Sequence, residues 1–327
     1  MRIIIYGAGG IGSVVGGHLW RNEQEVVLVG RSGHIGEINY GGLKLVTPDR
    51  TFIISVPAVT SPDKVGFHPD DVVFLCMKGQ DTEDALKDLK AVIPDIPVFC
   101  LQNGVRNEET ASRYFPRVYG AMVRIGAEYL TDGEVACRRD PPGWLIIGRY
   151  PRGTDTLCEE VAQIVRAGGF LVKVTSDIMP YKWGKLLANL GNAVDAITGS
   201  WSQEDELIER AVGQEFKDLL SEAGLSWISQ DEVAREWPEV NRPPRGRLKT
   251  AGFSSTWQSL TRQQGSVETE FLNGEIVRFA KKLGRSAPVN EKLLQISREM
   301  AANHEKPGKF TIKQLCSLLG LNNSALS

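Results

Sequence analysis

Short apolar runs, separated by turns and amphipathic stretches, follow one another through the first half of the chain. They lie at residues 2–6, 25–29, 71–77, 96–101, 118–123, 144–147 and 170–174. The run at 71–77 is continuously apolar, as expected of a parallel strand that is buried on both faces. One helical pattern ends near Lys90, and a second spans about residues 155–167. We therefore predict a sheet with interleaved helices that continues to about residue 174.

Two further runs, at residues 43–46 and 51–56, flank the turn sequence Pro48-Asp49-Arg50. Strand-like runs on both sides of a short turn predict a β-hairpin. We expect this hairpin to cover one edge of the sheet.

The pattern changes after residue 177, where strand-like runs stop. Helical patterns then dominate, at residues 179–197, 202–223, 267–283 and 290–303. This change predicts a first domain of residues 1–177 and a second of residues 178–327. Between the helices lies a basic, proline-rich stretch, residues 237–249, which cannot be a regular helix. We expect a solvated loop there, and the alternative is a lid that helps to hold anionic ligands.

The first apolar run leads directly into Gly7-Ala8-Gly9-Gly10-Ile11-Gly12, and a helical pattern follows from Ser13. Strand, G-x-G-x-x-G and helix in this order form the dinucleotide-binding fingerprint. The first glycine makes the tight turn, the second lets the backbone approach a pyrophosphate, and the third lets the helix pack closely on the strand. The sequence therefore predicts a cofactor site that is formed by Gly7, Gly9, Gly10, Ile11 and Gly12. The alternative is a glycine turn with a purely structural role.

The residues after the second strand select the cofactor. An NAD site usually carries Asp or Glu there, about 20 residues beyond the glycines. This chain has Gly30-Arg31-Ser32 instead. A carboxylate would repel a 2′-phosphate, whereas an arginine fork and a serine hydroxyl can bind one. We therefore predict that the cofactor is NADP(H). The alternative is that Arg31 is merely an exposed loop cation.

Polar residues follow two later strands at the point where each strand ends. Lys78 follows the run at 71–77, and Asn103 follows the run at 96–101. In open α/β sheets, ligands bind outside the carboxyl ends of the strands. Both side chains are thus candidates for cofactor or substrate contacts. A solvated lysine and an Asn-Gly turn are the plainer interpretations.

Length and charge exclude several classes of protein. The 327 residues suffice for two cores, and a net charge of −2 without a long basic run argues against a nucleic-acid partner. No apolar stretch reaches the length of a membrane span, and the immediate strand leaves no room for a signal peptide. Five scattered cysteines lack a C-x-x-C motif, and Cys76 and Cys100 lie in apolar runs. We expect reduced core thiols, a cytoplasmic protein and no metal site.

A polar stripe on the apolar helical pattern at 179–197 is the first candidate for chemistry. Lys185, Asn189 and Asn192 stand at i, i+4 and i+7 and would share one helix face. Lysine, with a reference pKa of about 10.4, is protonated at neutral pH. It can therefore donate the proton that reduction of a carbonyl requires. The alternative is a helix face that simply meets water.

The four histidines do not supply another proton donor. His18 falls in the first predicted helix, His34 and His68 fall in early predicted loops, and His304 lies near the C-terminus. None of them belongs to a polar constellation in the sequence. A second polar cluster, Ser254-Ser255-Thr256 followed by Glu268, has helix capping as its default interpretation.

The residues described so far resemble the motifs of the ketopantoate reductases (2-dehydropantoate 2-reductases), NADPH-dependent enzymes of pantothenate biosynthesis. The likeness runs over nearly the whole chain. Residues 7–12 match the family's glycine loop, and Arg31 matches its arginine for the 2′-phosphate. Lys78 and the Gln102-Asn103-Gly104 turn match two strand-end motifs near the nicotinamide.

The second half resembles the same family. Lys185 and Asn189 match its K-x-x-x-N motif, in which the lysine is taken as the general acid and the asparagine binds substrate. Residues 254–258 resemble its S-S-M-L-Q segment, with Ser255 at the substrate-binding serine. Glu268, five residues before Asn273-Gly274, matches its active-site glutamate.

Several departures from the family pattern lie on the substrate side. The second asparagine of the family stands four residues beyond the first, but position 193 is Ala here, and Asn192 comes one residue early. We assign Asn192 to substrate binding. Thr256-Trp257 replaces Met-Leu, and the proline-rich loop is longer than usual. The resemblance therefore specifies the cofactor more firmly than the substrate.

The resemblance implies an α/β protein with an N-terminal Rossmann-like, doubly wound domain, an all-helical C-terminal domain and an active site between them. It implies reduction of a small 2-oxo acid, above all ketopantoate, by NADP(H). Lys185 would be the general acid, and Glu268 would orient the lysine and the substrate hydroxyl. Neither nucleic acid nor membrane is an expected partner, and a homodimer is one candidate state.

Two other functions stay open at this point. A related dehydrogenase could act on another 2-oxo acid or form an opine-type amino acid. An NADP-binding regulatory protein without turnover would need only the motifs of the first domain, so Lys185 and Glu268 argue against it.

Overall fold

The computed structural model describes residues 1–199, 206–248, 254–263 and 265–321. The β-strands are β1 (Ile3–Tyr6), β2 (Val26–Val29), β3 (Leu43–Val46), β4 (Thr51–Ile54), β5 (Ala58–Val59), β6 (Val72–Leu75), β7 (Val98–Cys100), β8 (Val118–Ile125), β9 (Ala127–Thr131), β10 (Glu134–Cys137), β11 (Arg139–Asp140), β12 (Gly143–Arg149), β13 (Leu171–Val174) and β14 (Gly246–Arg247). The α-helices are α1 (Gly10–Arg21), α2 (Ser32–Gly41), α3 (Thr82–Val92), α4 (Asn107–Ser112), α5 (Thr156–Ala167), α6 (Met179–Asn189), α7 (Asn192–Thr198), α8 (Glu206–Glu222), α9 (Gln230–Glu236), α10 (Ser255–Thr261), α11 (Asn273–Lys282), α12 (Pro288–Ala302) and α13 (Ile312–Leu318). Short 3₁₀ helices lie at Pro62–Lys64, Gly79–Asp81, Pro238–Asn241 and Glu268–Phe271.

The chain forms an α/β protein whose main sheet has the order β13-β12-β8-β7-β6-β1-β2-β5. From β5 to β8 all neighbouring strands run parallel, and β12 is antiparallel to β8. β1 and β6 are buried at nearly every position, because apolar side chains cover both faces of the sheet. The predicted strands of the first half are thereby confirmed, including the continuation through β8, β12 and β13. The sheet with helices on both faces is the Rossmann-like doubly wound arrangement.

The predicted hairpin forms, but its predicted position is wrong. β3 and β4 pair antiparallel, and they belong to a second sheet of order β4-β3-β10-β9. This small sheet covers α1, since a Cβ on Gly17 would lie 3.2 to 3.4 Å from side-chain atoms of Leu43, Ile54 and Leu45. The edge strand beside β2 is β5. The pairing of β3 with β10, about 90 residues later, could not be read from local periodicity.

His34 also differs from its predicted position in a loop, because it lies in α2. Its ring is buried, with Nδ1 accepting from Gly133 N at 2.9 Å and Nε2 lying 3.0 Å from Ser13 Oγ. Burial lowers its pKa. The neutral imidazole therefore joins α2, α1 and the turn between β9 and β10. It is a core residue of the fold.

The described residues form two compact units. The first contains residues 1–182 and the later segment 229–248, and the second contains the other described residues from 183 onward. The returning segment is held by pairing of β14 with β11, by Arg245 Nη2 at 2.9 Å from Asp140 Oδ1, and by an edge-on contact of Trp237 with Trp144. The predicted boundary at residue 177 rested on the change of pattern, which carries no information about a returning segment.

The proline-rich stretch is not a regular helix, as predicted. Its described part contains the 3₁₀ helix Pro238–Asn241 and the two-residue strand β14, and residues 241–243 are exposed. Lys249 lies outside the described residues.

Two long helical patterns of the second half are interrupted in the structure. The predicted helix at 179–197 breaks between α6 and α7, at Leu190-Gly191. The predicted helix at 267–283 divides into the 3₁₀ helix Glu268–Phe271 and α11, because Leu272 leaves the helical conformation at φ −115° and ψ −95°. The predicted start of the helix at 202–223 lies outside the described residues. Periodicity identified helices at these places but not the breaks.

Within these described ranges, no helix combines the length and the apolar character needed to cross a bilayer.

Candidate active site

The loops that follow the parallel strands of the first unit lie along one edge of the main sheet. Tyr6 is in register with Val29 and with Leu75, and Leu75 is in register with Cys100. The residues just beyond these positions begin the glycine loop and the segments that contain Arg31, Lys78 and Asn103. The structure therefore brings the predicted cofactor residues to the carboxyl edge of the sheet. β1 lies between β2 and β6, so the strand order reverses beside the glycine loop, where ligands of such folds bind.

The glycine loop has the steric restrictions that the sequence predicted. Gly7 has φ +105°, and a Cβ there would lie 2.3 Å from the main-chain nitrogen of Met77. A Cβ on Gly12 would lie 2.3 Å from the carbonyl oxygen of Gly7. A Cβ on Gly9 would meet no described atom within 4 Å. Two glycines are thus required by packing, whereas the third leaves open space at the start of α1.

The N-terminus of α1 suits a phosphate group. The first amides of a helix have no partners within the helix, and the helix dipole favours negative charge there. The first turn of α1 has no acidic residue, and Gly9 provides no side-chain cap. Gly10 and Ile11 are only partly buried. The open space over Gly9 and the uncapped amides therefore fit the pyrophosphate of a dinucleotide.

Arg31 lies at the same edge and is paired with an acidic residue. Its Nη2 lies 3.5 Å from Oδ2 of Asp81, and the two side chains are 82% and 45% exposed. Asp81 belongs to the 3₁₀ helix that begins after Lys78. The pair thus connects the loop after β2 with the loop after β6. An exposed pair contributes only about 0–1 kcal/mol, so a phosphate can compete with Asp81 for the guanidinium.

A buried polar network surrounds Asn103, and sequence patterns did not reveal it. Gln102 Nε2 donates to Thr82 Oγ1 at 2.7 Å, and Thr82 Oγ1 donates to Asn107 Oδ1 at 3.1 Å. Asn107 Nδ2 donates to the carbonyl oxygen of Asn103 at 2.8 Å. Lys182 Nζ donates to the carbonyl oxygen of Gln102 at 3.2 Å. The turn that carries Asn103 is therefore fixed through its carbonyl groups.

In the second unit, the predicted polar stripe does not lie on a continuous helix. Lys185 and Asn189 stand one turn apart on α6, and both are partly buried. Asn192 follows the break and begins α7, so the i+7 relation with Lys185 is lost. Asn273 satisfies the interrupted backbone, since its Nδ2 donates to the carbonyl oxygen of Leu190 at 3.2 Å. Asn192 instead accepts a hydrogen bond from Ser254 Oγ through its carbonyl oxygen, at 3.3 Å.

Two other predicted residues of the second unit meet directly. Ser255 Oγ donates to Oε2 of Glu268 at 3.3 Å, and Glu268 is buried. Ser254 takes the capping role for α10, because its Oγ accepts from Trp257 N at 3.1 Å. Its own amide donates to Asp195 Oδ2 at 2.9 Å. The adjacent serines thus have separate functions, and Ser255 is available for polar contacts beside a buried carboxylate.

The predicted site residues accordingly form two groups. The cofactor candidates lie in the first unit, and the catalytic and substrate candidates lie in the second. Asp81 and the network around Asn103 were missed by sequence reasoning, although Asp81 follows Lys78 by only three residues. Across the part of the chain that the structure describes, no cluster of three His, Cys, Asp or Glu side chains could hold a metal ion.

Comparison with known proteins gives a consistent result over both units. The family model for ketopantoate reductase PanE/ApbA matches residues 3–152, and the model for the C-terminal part of the same family matches residues 177–301. A 2-dehydropantoate 2-reductase of Pyrococcus horikoshii is 32% identical over 298 residues, which cover 89% of this chain and 94% of the relative.

Solved structures have the same fold. A PanE/ApbA family ketopantoate reductase from Ralstonia eutropha JMP134 superposes with a TM-score of 0.78 at 29% identity, covering 93% of this chain and 99% of that one. D-mandelate dehydrogenase in complex with NADH gives a TM-score of 0.77 at 20% identity, with the same coverage. The second likeness concerns the fold alone.

Proposed function

The chain belongs to the ketopantoate reductase family, and we propose that it reduces 2-dehydropantoate (ketopantoate) to pantoate with NADPH. The observation that carries this proposal is the contact between Ser255 and the buried Glu268, 3.3 Å apart. A buried carboxylate is costly unless it is paired or hydrogen-bonded, and it can orient a polar substrate group. Lys185 and Asn189 on α6 supply the other two groups that the family motif requires.

The residues of the first unit suit the cofactor. Gly7, Gly9, Gly10, Ile11 and Gly12 would hold the pyrophosphate, Arg31 the 2′-phosphate, and Lys78 and Asn103 the nicotinamide end. NADPH, when bound, supplies the hydride for C2 of the 2-oxo acid. An arginine in place of the acidic residue after β2 supports NADPH over NADH, because a guanidinium binds phosphate and cannot accept ribose hydroxyls.

The residues of the second unit would handle the proton and the substrate. Lys185 donates a proton from Nζ to the carbonyl oxygen as C2 is reduced, which gives the hydroxyl group of the product. Glu268 orients the ammonium group and the forming hydroxyl. Asn189, Asn192 and Ser255 hold the polar groups of the substrate. A positioned general acid of this kind typically contributes about 10²- to 10⁴-fold in rate.

The first test is NADPH oxidation with ketopantoate beside a panel of other 2-oxo acids, with NADH as the cofactor control. Efficient turnover of ketopantoate with NADPH is the expected result. Preference for another 2-oxo acid would make the protein a related dehydrogenase, and activity only with an added amine would indicate opine formation. Cofactor binding without turnover of any substrate would contradict an enzymatic function.

The role of Lys185 has its own test. Lys185→Ala should lower kcat by about 10²- to 10⁴-fold while the Kd for NADPH stays unchanged. Lys217→Ala, which removes an exposed lysine of α8 in the same unit, is the matched control and should retain full activity. Turnover of Lys185→Ala at the wild-type rate would remove the lysine from the mechanism.

A further inference from the structure

We propose that the buried ion pair of Glu108 and Lys182 positions the turn that carries Asn103, and through that turn the nicotinamide half of the cofactor. Glu108 lies in α4 and Lys182 in the first turn of α6. Their carboxylate and ammonium groups are in direct contact, and the side chains are 0% and 2% exposed. The inference rests on the proposed cofactor, but neither residue belongs to the motifs that led to it.

The pair is not explained by stability alone. A buried ion pair often contributes no more than well-packed apolar side chains, because both ions lose their hydration. Glu108 also retains one carboxylate oxygen, Oε2, without a hydrogen-bond partner among the described residues. Burial raises the pKa of Glu108, while the neighbouring Lys182 opposes that rise. The buried pair is therefore energetically costly, which indicates a role beyond packing.

The contacts of Lys182 indicate that role. Besides Glu108, its Nζ donates to the carbonyl oxygen of Gln102 at 3.2 Å. The next carbonyl, that of Asn103, accepts from Asn107 Nδ2 at 2.8 Å, and Asn107 directly precedes Glu108 in α4. Two consecutive carbonyl groups are thus held from α4 and α6. Holding both of them sets the orientation of the peptide planes, and with it the direction of the Asn103 side chain.

Glu108 fixes the position of the ammonium group in turn. The strand β8 leaves room for its carboxylate, since a Cβ on Gly120 would lie 3.3 Å from Glu108 Oε1. Without Glu108, the buried ammonium group of Lys182 would keep the carbonyl oxygen of Gln102 as its one acceptor among the described residues. Glu108 and Lys182 are therefore positioning residues, and Asn103 is the group that would contact the cofactor.

The test compares two ligands of the full chain: NADPH, and adenosine 2′,5′-bisphosphate, which lacks the nicotinamide half. The double variant Glu108→Leu/Lys182→Met removes both charges together, so that no unpaired charge stays buried. We expect the Kd for NADPH to rise about tenfold, which corresponds to the loss of one typical hydrogen bond between Asn103 and the nicotinamide half. The Kd for adenosine 2′,5′-bisphosphate should change less than about twofold.

Two further variants separate positioning from general destabilisation. Lys182→Arg keeps a cation that can donate to both acceptors and should recover most of the NADPH affinity. Arg2→Met/Asp71→Leu removes another pair of the first unit, 2.6 Å apart with Asp71 buried, at the amino ends of β1 and β6. That control should lower thermal stability and leave both Kd values unchanged.

An equal rise of both Kd values in the folded double variant, or no rise at all, would overturn the proposal. Wild-type protein that binds NADPH but does not reduce ketopantoate would refute the proposed reaction and leave this inference standing. Wild-type protein that does not bind NADPH would refute both.

Discussion

Arg31 Nη2 lies 3.5 Å from Oδ2 of Asp81, so the residue that would bind the 2′-phosphate already faces a carboxylate of its own chain. The pair is exposed, and its contribution is about 0–1 kcal/mol. Asp81 would therefore compete with a 2′-phosphate for the same guanidinium. The two residues should affect cofactor affinity in opposite directions.

Arg31→Gln should raise the Kd for NADPH by about 10- to 100-fold, because it removes a charge-assisted hydrogen bond to phosphate. Its effect on NADH should be small. Asp81→Asn should lower the Kd for NADPH by about two- to fivefold, since one competing charge is lost. Calorimetric titration of both variants with both cofactors measures these changes.

The control for Arg31 is Arg113→Gln. Arg113 is also exposed and paired, with Nη2 at 3.0 Å from Glu109 Oε1. It lies directly after α4 and belongs to neither of the loops that follow β2 and β6. Its removal should leave both cofactor affinities unchanged, and an equal loss of NADH and NADPH binding in Arg31→Gln would contradict 2′-phosphate recognition.

Gly9 and Gly12 should respond differently to the same substitution. Gly9→Ala meets no described atom within 4 Å and has φ −93°, so the folded protein accommodates it. The added methyl group occupies the space that a pyrophosphate would use, and the Kd for NADPH should rise at least about tenfold. Gly12→Ala places a Cβ 2.3 Å from Gly7 O, and should reduce stability by about 1–3 kcal/mol.

Thermal unfolding and NADPH titration on the two variants separate these effects. The expected pattern is an unchanged Tm with lost binding for Gly9→Ala, and a lowered Tm for Gly12→Ala. Normal NADPH affinity in Gly9→Ala would show that the cofactor does not approach the start of α1.

Ser255 and Ser254 offer a similar contrast in the second unit. Ser255→Ala removes the hydroxyl group that contacts Glu268 and should raise the KM for the 2-oxo acid about tenfold, with little change in Tm. Ser254→Ala removes the N-cap of α10 and should cost about 1 kcal/mol of stability. Steady-state kinetics of both variants measure the KM, and thermal melts measure the change in Tm. An unchanged KM in Ser255→Ala would exclude it from substrate binding.

His18 should make stability depend on pH. Burial, and then the nearby Arg21, lower the pKa of His18 to about 4. In the unfolded chain a histidine titrates at about pH 6.5, so between these values only the unfolded state binds the proton. The contribution of the neutral His18 to the free energy of unfolding is therefore fully present above about pH 6.5, and it is lost as the pH falls towards about 4. The expected loss is about 3 kcal/mol.

Denaturant unfolding of wild type and His18→Leu at about pH 7 and pH 4 measures this contribution. The variant has no group to titrate at this position and should lose about 3 kcal/mol less than wild type over that interval. His18 packs edge-on against Phe170, with ring centroids 5.5 Å apart. The leucine side chain of the variant would therefore still lie beside an apolar ring. Identical pH dependence of the two proteins would contradict the effect of burial.

Local patterns were sufficient for much of the first unit. Continuous apolar runs identified β1, β6 and β7, because strands that are buried on both faces must be apolar at every position. The glycine spacing identified the turn, since only glycine tolerates a main-chain atom 2.3 Å from a Cβ position. The same method failed for the helix at 179–197. An apolar helical pattern continues across Leu190-Gly191, whereas the structure breaks the helix there and Asn273 donates to the carbonyl oxygen of Leu190.

The sequence by itself determined the elements of the α/β unit and the glycine turn, and it indicated Arg31 and Lys185 as candidate residues, because steric limits, periodicity and motif spacing act between neighbours in the chain. Glu268 became a candidate only through the resemblance to the family. Only the tertiary structure determined which residues of the candidate site and its surroundings contact one another. Glu108 and Lys182 are 74 residues apart, and Asn273 and Leu190 are 83 apart. Such contacts depend on burial and on the directions of side chains in space. No local sequence pattern predicts these contacts. The contacts determine how firmly each part of the candidate site is held in position.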